Sequence, residues 1–131
     1  MSRLNGAGSI ISNSSDMNAF IRILFENKNF LTKDQFEKMT IMLDQNTGKI
    51  LKEGVRVNDL LGYGLGLEAI FNPIFKTSVY GHTGSTFGFG SAMGYIPEKK
   101  LSYFFALNTL HEKAFNELEK IVENFIFNNC F

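Results

Sequence analysis

Tyr80-Gly81-His82-Thr83-Gly84-Ser85-Thr86-Phe87-Gly88-Phe89-Gly90-Ser91 is the stretch on which the reading of this chain turns. Ser78 to His82 has the character of a strand end, and the residues after it are small, polar or glycine. A strand that ends in a polar triplet and runs on through small residues exposes backbone N–H groups to a cleft. That arrangement suits holding a carboxylate or stabilising an oxyanion. The plainer reading of the same residues is a glycine-rich β-turn with an incidental histidine, because a single His-Thr-Gly triplet is a weak signal on spacing alone.

Working outward from this stretch, two strands follow it, Ser91 to Ile96 and Leu101 to Asn108, joined as a hairpin by Pro97-Glu98-Lys99-Lys100. In the second, Tyr103, Phe105 and Leu107 alternate with Phe104 and Ala106, so both faces are apolar and the strand is expected in the middle of a sheet. From Glu112 to Asn128 the spacing of Ala114, Leu118, Ile121, Val122 and Phe125 predicts an amphipathic helix, with Glu117, Glu119, Lys120 and Glu123 on its solvent side. Upstream, Asn72-Pro73 breaks an extended segment, Tyr63 to Ile70, whose large apolar residues alternate. Lys49 to Asp59 reads as loop or irregular strand after the turn signal Asn46-Thr47-Gly48. A helix is expected from Thr32, where Thr32 and Gln35 form a capping-box pattern, to near Asp44, with Phe36, Met39, Met42 and Leu43 facing inward. Another spans Ser12 to about Asn27, with Met17, Phe20, Ile21, Leu24 and Phe25 on one face and Ser12, Ser14 or Ser15 as N-cap. Together these elements give an α+β class: an antiparallel sheet flanked by helices.

Composition narrows the function classes. The chain has 131 residues, 13 Lys+Arg against 13 Asp+Glu, and 14 Phe among an apolar fraction of 44%, enough for one domain with a real core. A balanced charge without a basic block argues against nucleic acid as a partner. No apolar run reaches the roughly 20 residues needed to span a bilayer. The opening residues lack a secretion signal, so export would need a signal outside this sequence. Cys130 is the only cysteine, which excludes an intrachain disulfide and a cysteine-built metal site. His82 and His111 have no metal-ligand spacing, and no metal or cofactor is expected. His111, at the start of the last helix, reads as a surface or capping residue.

Taken in order, Tyr63-Gly64-Leu65-Gly66, Gly81-His82-Thr83-Gly84-Ser85-Thr86-Phe87-Gly88-Phe89-Gly90-Ser91, Tyr95-Ile96-Pro97-Glu98 and Ala106-Leu107-Asn108-Thr109 resemble the C-terminal half of the beta-lactamase-related serine hydrolases. This family includes class C beta-lactamases, penicillin-binding D-alanyl-D-alanine carboxypeptidases and related esterases. The opening Gly6-Ala7-Gly8-Ser9-Ile10-Ile11-Ser12, followed by Asp16-Met17, resembles the family's entry into a helix. The resemblance implies a partial beta-lactamase/transpeptidase-like fold, with residues 1–131 as the C-terminal part of a catalytic domain. For the site it implies a catalytic pair, His82 beside the nucleophile's proton network and Ser85 as an oxyanion donor through its backbone N–H. Thr83 would bind the substrate carboxylate, and Gly84 would keep the strand clear for substrate.

The chain departs from the family at the nucleophile. None of its serines has a lysine three residues on, and none of its tyrosines has an asparagine two residues on, so the Ser-x-x-Lys and Tyr-x-Asn motifs are missing. A serine hydroxyl without an activating base does not form an acyl-enzyme, and the chain alone is expected to be inactive. The resemblance implies a small-molecule or peptide substrate with an amide, lactam or ester bond for the whole enzyme, and an extracytoplasmic location. A second reading is a non-catalytic binding or self-assembly module derived from the fold. Either way, exposed sheet surface and an unpaired strand edge are expected to drive self-association.

Overall fold

The computed structural model describes Gly8, residues 10–51 and residues 62–131. Most of the opening Gly6-to-Ser9 pattern, and of the segment expected as loop up to Asp59, lies outside these residues. The first helix, α1, spans Ser14–Glu26 and buries Ile21 completely. Its cap is Asn13 and not one of the neighbouring serines. The Asn13 side chain accepts from the Asp16 backbone N–H at 3.0 Å through its oxygen and donates to the Asp16 carboxylate at 2.8 Å through its nitrogen.

Helix α2, Lys33–Thr40, starts with the expected capping box between Thr32 and Gln35. It stops four residues short of Asp44. Beyond Ile41 the chain is extended, and Leu43–Asp44 forms a short strand, β1, so Met42 is buried from a strand-side position and Leu43 is partly exposed. The Asp44 carboxylate accepts from the backbone N–H groups of Asn46 and Thr47, at 2.8 and 3.2 Å, which turns the chain at the predicted Asn46-Thr47-Gly48. Those hydrogen bonds, that of Asn46 foremost, hold the carboxyl below its usual range.

The segment expected as one strand over Tyr63 to Ile70 is two strands, β2 (Gly62–Tyr63) and β3 (Glu68–Asn72). Gly64 to Leu67 make the turn between them: Gly64 N–H donates to Leu67 C=O at 2.7 Å, and Gly66 has a φ of 69°. A side chain on Gly64 would sit 2.3 Å from the Met39 carbonyl oxygen. Apolar alternation across Gly64 and Gly66 therefore concealed a reversal that only glycine permits.

Three longer strands complete the sheet: β4 (Thr77–Thr86), β5 (Phe89–Ile96) and β6 (Leu101–Leu107). All pairings are antiparallel, and the order in space, β1-β2-β3-β4-β5-β6, repeats the order in the chain. The residues Pro97–Lys99 form a single 3₁₀ turn, closed by Lys100 in the left-handed conformation at φ 48°, so the predicted hairpin is present with a tighter link. β6 corrects an expectation. It is an edge strand among the described residues, not a central one. Its apolar faces are partly covered, because α1 packs on β5 and β6 from one side while Phe115 meets Phe105 from the other, with ring centroids 5.3 Å apart.

The sheet is thereby held between helices. On one face the cross-strand pair Tyr80 and Tyr95 receives Phe25 of α1, with centroids 5.8 and 4.6 Å apart, and Phe36 of α2 stands edge-on to Phe25 at 5.7 Å. On the other face Val79 and Ile96 join Phe75 and Ile126 in the core, with Ile74, Leu101, Tyr103 and Val122 around them. Full burial of side chains this size contributes about 1.5–3 kcal/mol each. The last helix, α3 (Glu112–Cys130), begins as expected at His111, whose Nδ1 accepts from the Ala114 N–H. Its inward stripe differs from the predicted one. Phe115, Leu118, Val122 and Ile126 turn toward the sheet, Ile121 and Phe125 are 64% and 68% exposed, and Glu119 and Glu123 are half-buried.

Candidate functional site

The four site residues predicted from the sequence, His82, Thr83, Gly84 and Ser85, lie within β4. The glycine-rich stretch is not an open loop after a strand end. It is the distal half of a hairpin, reversed by the two-residue turn Phe87-Gly88 with Gly88 at φ 84°, and Thr86 pairs with Phe89 across it.

β4 outruns β3 on its other side. The last β3 pairing is Glu68 with Gly81, so residues 82–86 have a strand partner only in β5 among the described residues. A pair closing a two-residue turn exchanges both hydrogen bonds, and bonded and non-bonded pairs then alternate along the ladder. Thr83, opposite Ala92, and Ser85, opposite Gly90, fall in the non-bonded pairs. Their N–H and C=O groups therefore point away from β5, toward the open edge. Side chains alternate as well: His82 and Gly84 leave one face of the strand, Thr83 and Ser85 the other. What the residues share is the edge.

His82 turns its ring along that edge. Its Nδ1 is hydrogen-bonded to the carbonyl oxygen of Thr83, which can only accept, so Nδ1 carries the proton. Nε2 is then the acceptor in the neutral ring, and it receives the Tyr63 hydroxyl at 2.8 Å. The two rings meet edge to face, with centroids 5.6 Å apart. A Glu68 carboxylate oxygen stands 4.0 Å from Nε2, with 18% of its side chain exposed against 35% for His82. Tyr63 and Glu68 were not identified as site residues from the sequence. They oppose each other across the β2–β3 turn, and only the register of Glu68 on Gly81 brings them to a histidine 19 positions beyond Tyr63.

Glycine is enforced around the site. A side chain on Gly81 would sit 1.9 Å from the Met93 carbonyl oxygen, and one on Gly84 would meet the Ser91 hydroxyl at 2.9 Å. Thr83, Gly84 and Ser85 are exposed. A shallow depression lined by Ala19, Arg22, Ile23, Glu26, Asn27 and Lys28 lies along the end of α1 and includes none of them. Among the described residues no three His, Cys, Asp or Glu side chains gather as metal ligands, and no helix is long and apolar enough to cross a membrane.

The chain matches the Beta-lactamase family model over residues 1–124. The chain belongs to the Beta-lactamase family. Among solved structures this family member is similar to a D-stereospecific amidohydrolase from Streptomyces sp., with a TM-score of 0.57 and 24% identity over 74% of the chain. It covers 25% of that amidohydrolase, and at this identity the likeness shows the fold. No curated protein matches the chain. The α+β class and the resemblance to beta-lactamase-related hydrolases stand on these findings.

Proposed function

We propose that this beta-lactamase-family chain supplies the His82-Thr83-Gly84 strand of an acyl-serine hydrolase site, with the attacking serine and its base contributed by polypeptide outside these 131 residues. One observation carries the reading: the same open edge of β4 carries the imidazole of His82 and, three residues on, the outward N–H of Ser85. In this role Ser85 N–H donates to the developing oxyanion, where loss of one donor costs on the order of 10²-fold or more in rate. Thr83 is assigned to the substrate carboxylate, and Gly84 leaves the edge clear for an extended small-molecule or peptide substrate with an amide, lactam or ester bond. In this reading the whole enzyme works outside the cytoplasm. The test compares the chain alone with the chain joined to a Ser-x-x-Lys-bearing segment encoded upstream of Met1. Each is incubated with a chromogenic cephalosporin, a p-nitrophenyl ester and labelled penicillin. Turnover or a covalent adduct is expected only in the joined protein; an adduct on the chain alone refutes the division of labour.

A second reading rests on β6. Its outer edge has no strand partner among the described residues and its sequence is apolar, which favours a non-catalytic self-assembly module. Catalysis by the joined protein would exclude this reading.

A further inference from the structure

Beyond Ser85 the β4 edge runs into the hairpin tip Phe87-Gly88-Phe89, and both tip rings stand in solvent, Phe87 84% and Phe89 58% exposed. A Cβ added to Gly88 between them would meet nothing within 4 Å. Phe25, Phe36, Phe75, Phe105 and Phe115 each pair with another ring, whereas Phe87 and Phe89 have no ring contact among the described residues. One exposed phenylalanine needs no explanation. Two in the same tip do, the more so because the position before Gly88 in a two-residue turn is one that Asn, Asp or Gly usually fills. The sequence departs there from local turn chemistry without a packing gain, as sequences do at functional positions.

We infer that Phe87 and Phe89 form an apolar subsite at the end of the β4 edge, taking an aromatic or bulky aliphatic group of the substrate on the side of the scissile bond remote from its carboxylate. This deepens the hydrolase reading and rests on it.

The order of groups along β4 sets the direction. In that reading Thr83 takes the carboxylate and Ser85 N–H the scissile carbonyl oxygen, so the substrate's other flank runs toward Phe87. At about 3.3 Å per residue, Phe87 lies about 7 Å beyond Ser85 along the strand, within stacking reach of a ring carried three bonds from the carbonyl carbon. Phe89 pairs with Thr86 and so lies on the strand face that carries His82 and Gly84. The edge is thus polar at its His82 end, where the Tyr63 hydroxyl stands, and aromatic at its tip. An apolar group seated against the tip takes its own surface and that of the rings out of water together.

The test is a proton–nitrogen NMR titration of the ¹⁵N-labelled 131-residue chain with two probes that differ by one ring, propionylglycine and 3-phenylpropionylglycine. Each carries a carboxylate and an amide carbonyl. The phenyl probe is expected to bind about fivefold more tightly, the worth of one aromatic contact, and to move the amide signals of Ser85, Gly88 and Phe89. In Phe87→Ser the two affinities should converge, with that for propionylglycine unchanged. Equal affinities in the wild-type chain overturn the subsite and leave the hydrolase reading standing. So does a preference that survives in the Phe87→Ser, Phe89→Ser double variant, or one whose shifts lie on α3 around the exposed Ile121 and Phe125. If neither probe moves a signal between residues 82 and 90, the subsite and the β4 edge as a substrate site fall together. Both substituted side chains are exposed, and the wild-type comparison decides even where a variant does not fold.

Discussion

Asn72 shows how much one buried amide can organise. It is 4% exposed; its oxygen accepts from the Ile74 and Phe75 N–H groups at 2.9 and 3.1 Å, and its nitrogen donates to Glu123 of α3. One side chain thus shapes the turn into β4 and ties α3 to it. Asn72→Ala leaves one buried and one partly buried N–H group and a half-buried carboxylate short of partners, and should cost about 2–4 kcal/mol in urea unfolding. Gly81 sets a different limit. Gly81→Ala forces a methyl group onto the Met93 carbonyl and should separate β4 from β5 around His82, losing about 3 kcal/mol or more. At Gly48, with φ 67° and nothing within 4 Å of an added Cβ, alanine should cost only the backbone strain of about 1–2 kcal/mol. Equal losses at the two glycines would contradict the close approach at Gly81.

Among the elements, α3 carries the clearest pH signature. Burial raises the Glu119 carboxyl above its usual range, and the nearby Glu123 raises it further. Burial likewise pushes the Tyr103 hydroxyl up, with Glu119 and Glu123 adding to it, so Tyr103 stays a neutral phenol beside these acids. The folded state therefore holds the Glu119 proton more tightly than the unfolded chain. The stability from that protonation is fully present below the unfolded value near 4.5 and is lost as pH rises through the folded one. Glu119→Gln should remove this decline and unfold at higher denaturant than wild type at pH 7, with little difference at pH 4. Equal midpoint differences at both pH values would sink the assignment.

The same helix marks where sequence reading stopped. Its apolar residues fit two overlapping stripes, and Ile121 and Phe125 belong to the one left exposed. The stripe chosen by the fold admits Glu119 and Glu123 because Tyr103 and Asn72 offer polar surroundings, which periodicity cannot see. Where a local rule was self-sufficient, it held: Thr32 with Gln35, the helix at Met17 to Phe25, the strands around Pro97. At Gly64 to Gly66 strand alternation and turn chemistry conflicted, and the glycines decided. The site divides likewise. His82 to Ser85 were legible as a local string, whereas Tyr63 and Glu68 reach His82 only through sheet register.

At the scale of the whole molecule, the outer edge of β6 has no strand partner among the described residues. Ile121 and Phe125 on α3 add exposed apolar surface to it. We expect the chain to self-associate by strand pairing along β6 at micromolar concentrations, and sedimentation velocity should show dimers or larger species. Ala106→Lys places a charge at an exposed β6 position and should shift the distribution toward monomer without lowering the unfolding midpoint by more than about 0.5 kcal/mol. A wild-type chain that sediments as a monomer at high concentration would exclude the edge as an assembly site.

Strand order bears on how the molecule comes to exist at all. Because each strand pairs only with its neighbours in the chain, the sheet can grow one reversal at a time from β2 onward, with short loops to close and no crossover to thread. The distant closures are those that bring α1 onto β5 and β6 and α3 back to Asn72. Folding should therefore run in two phases, rapid zipping of hairpins and slower helix docking, and the edge that presents His82 would form in the first.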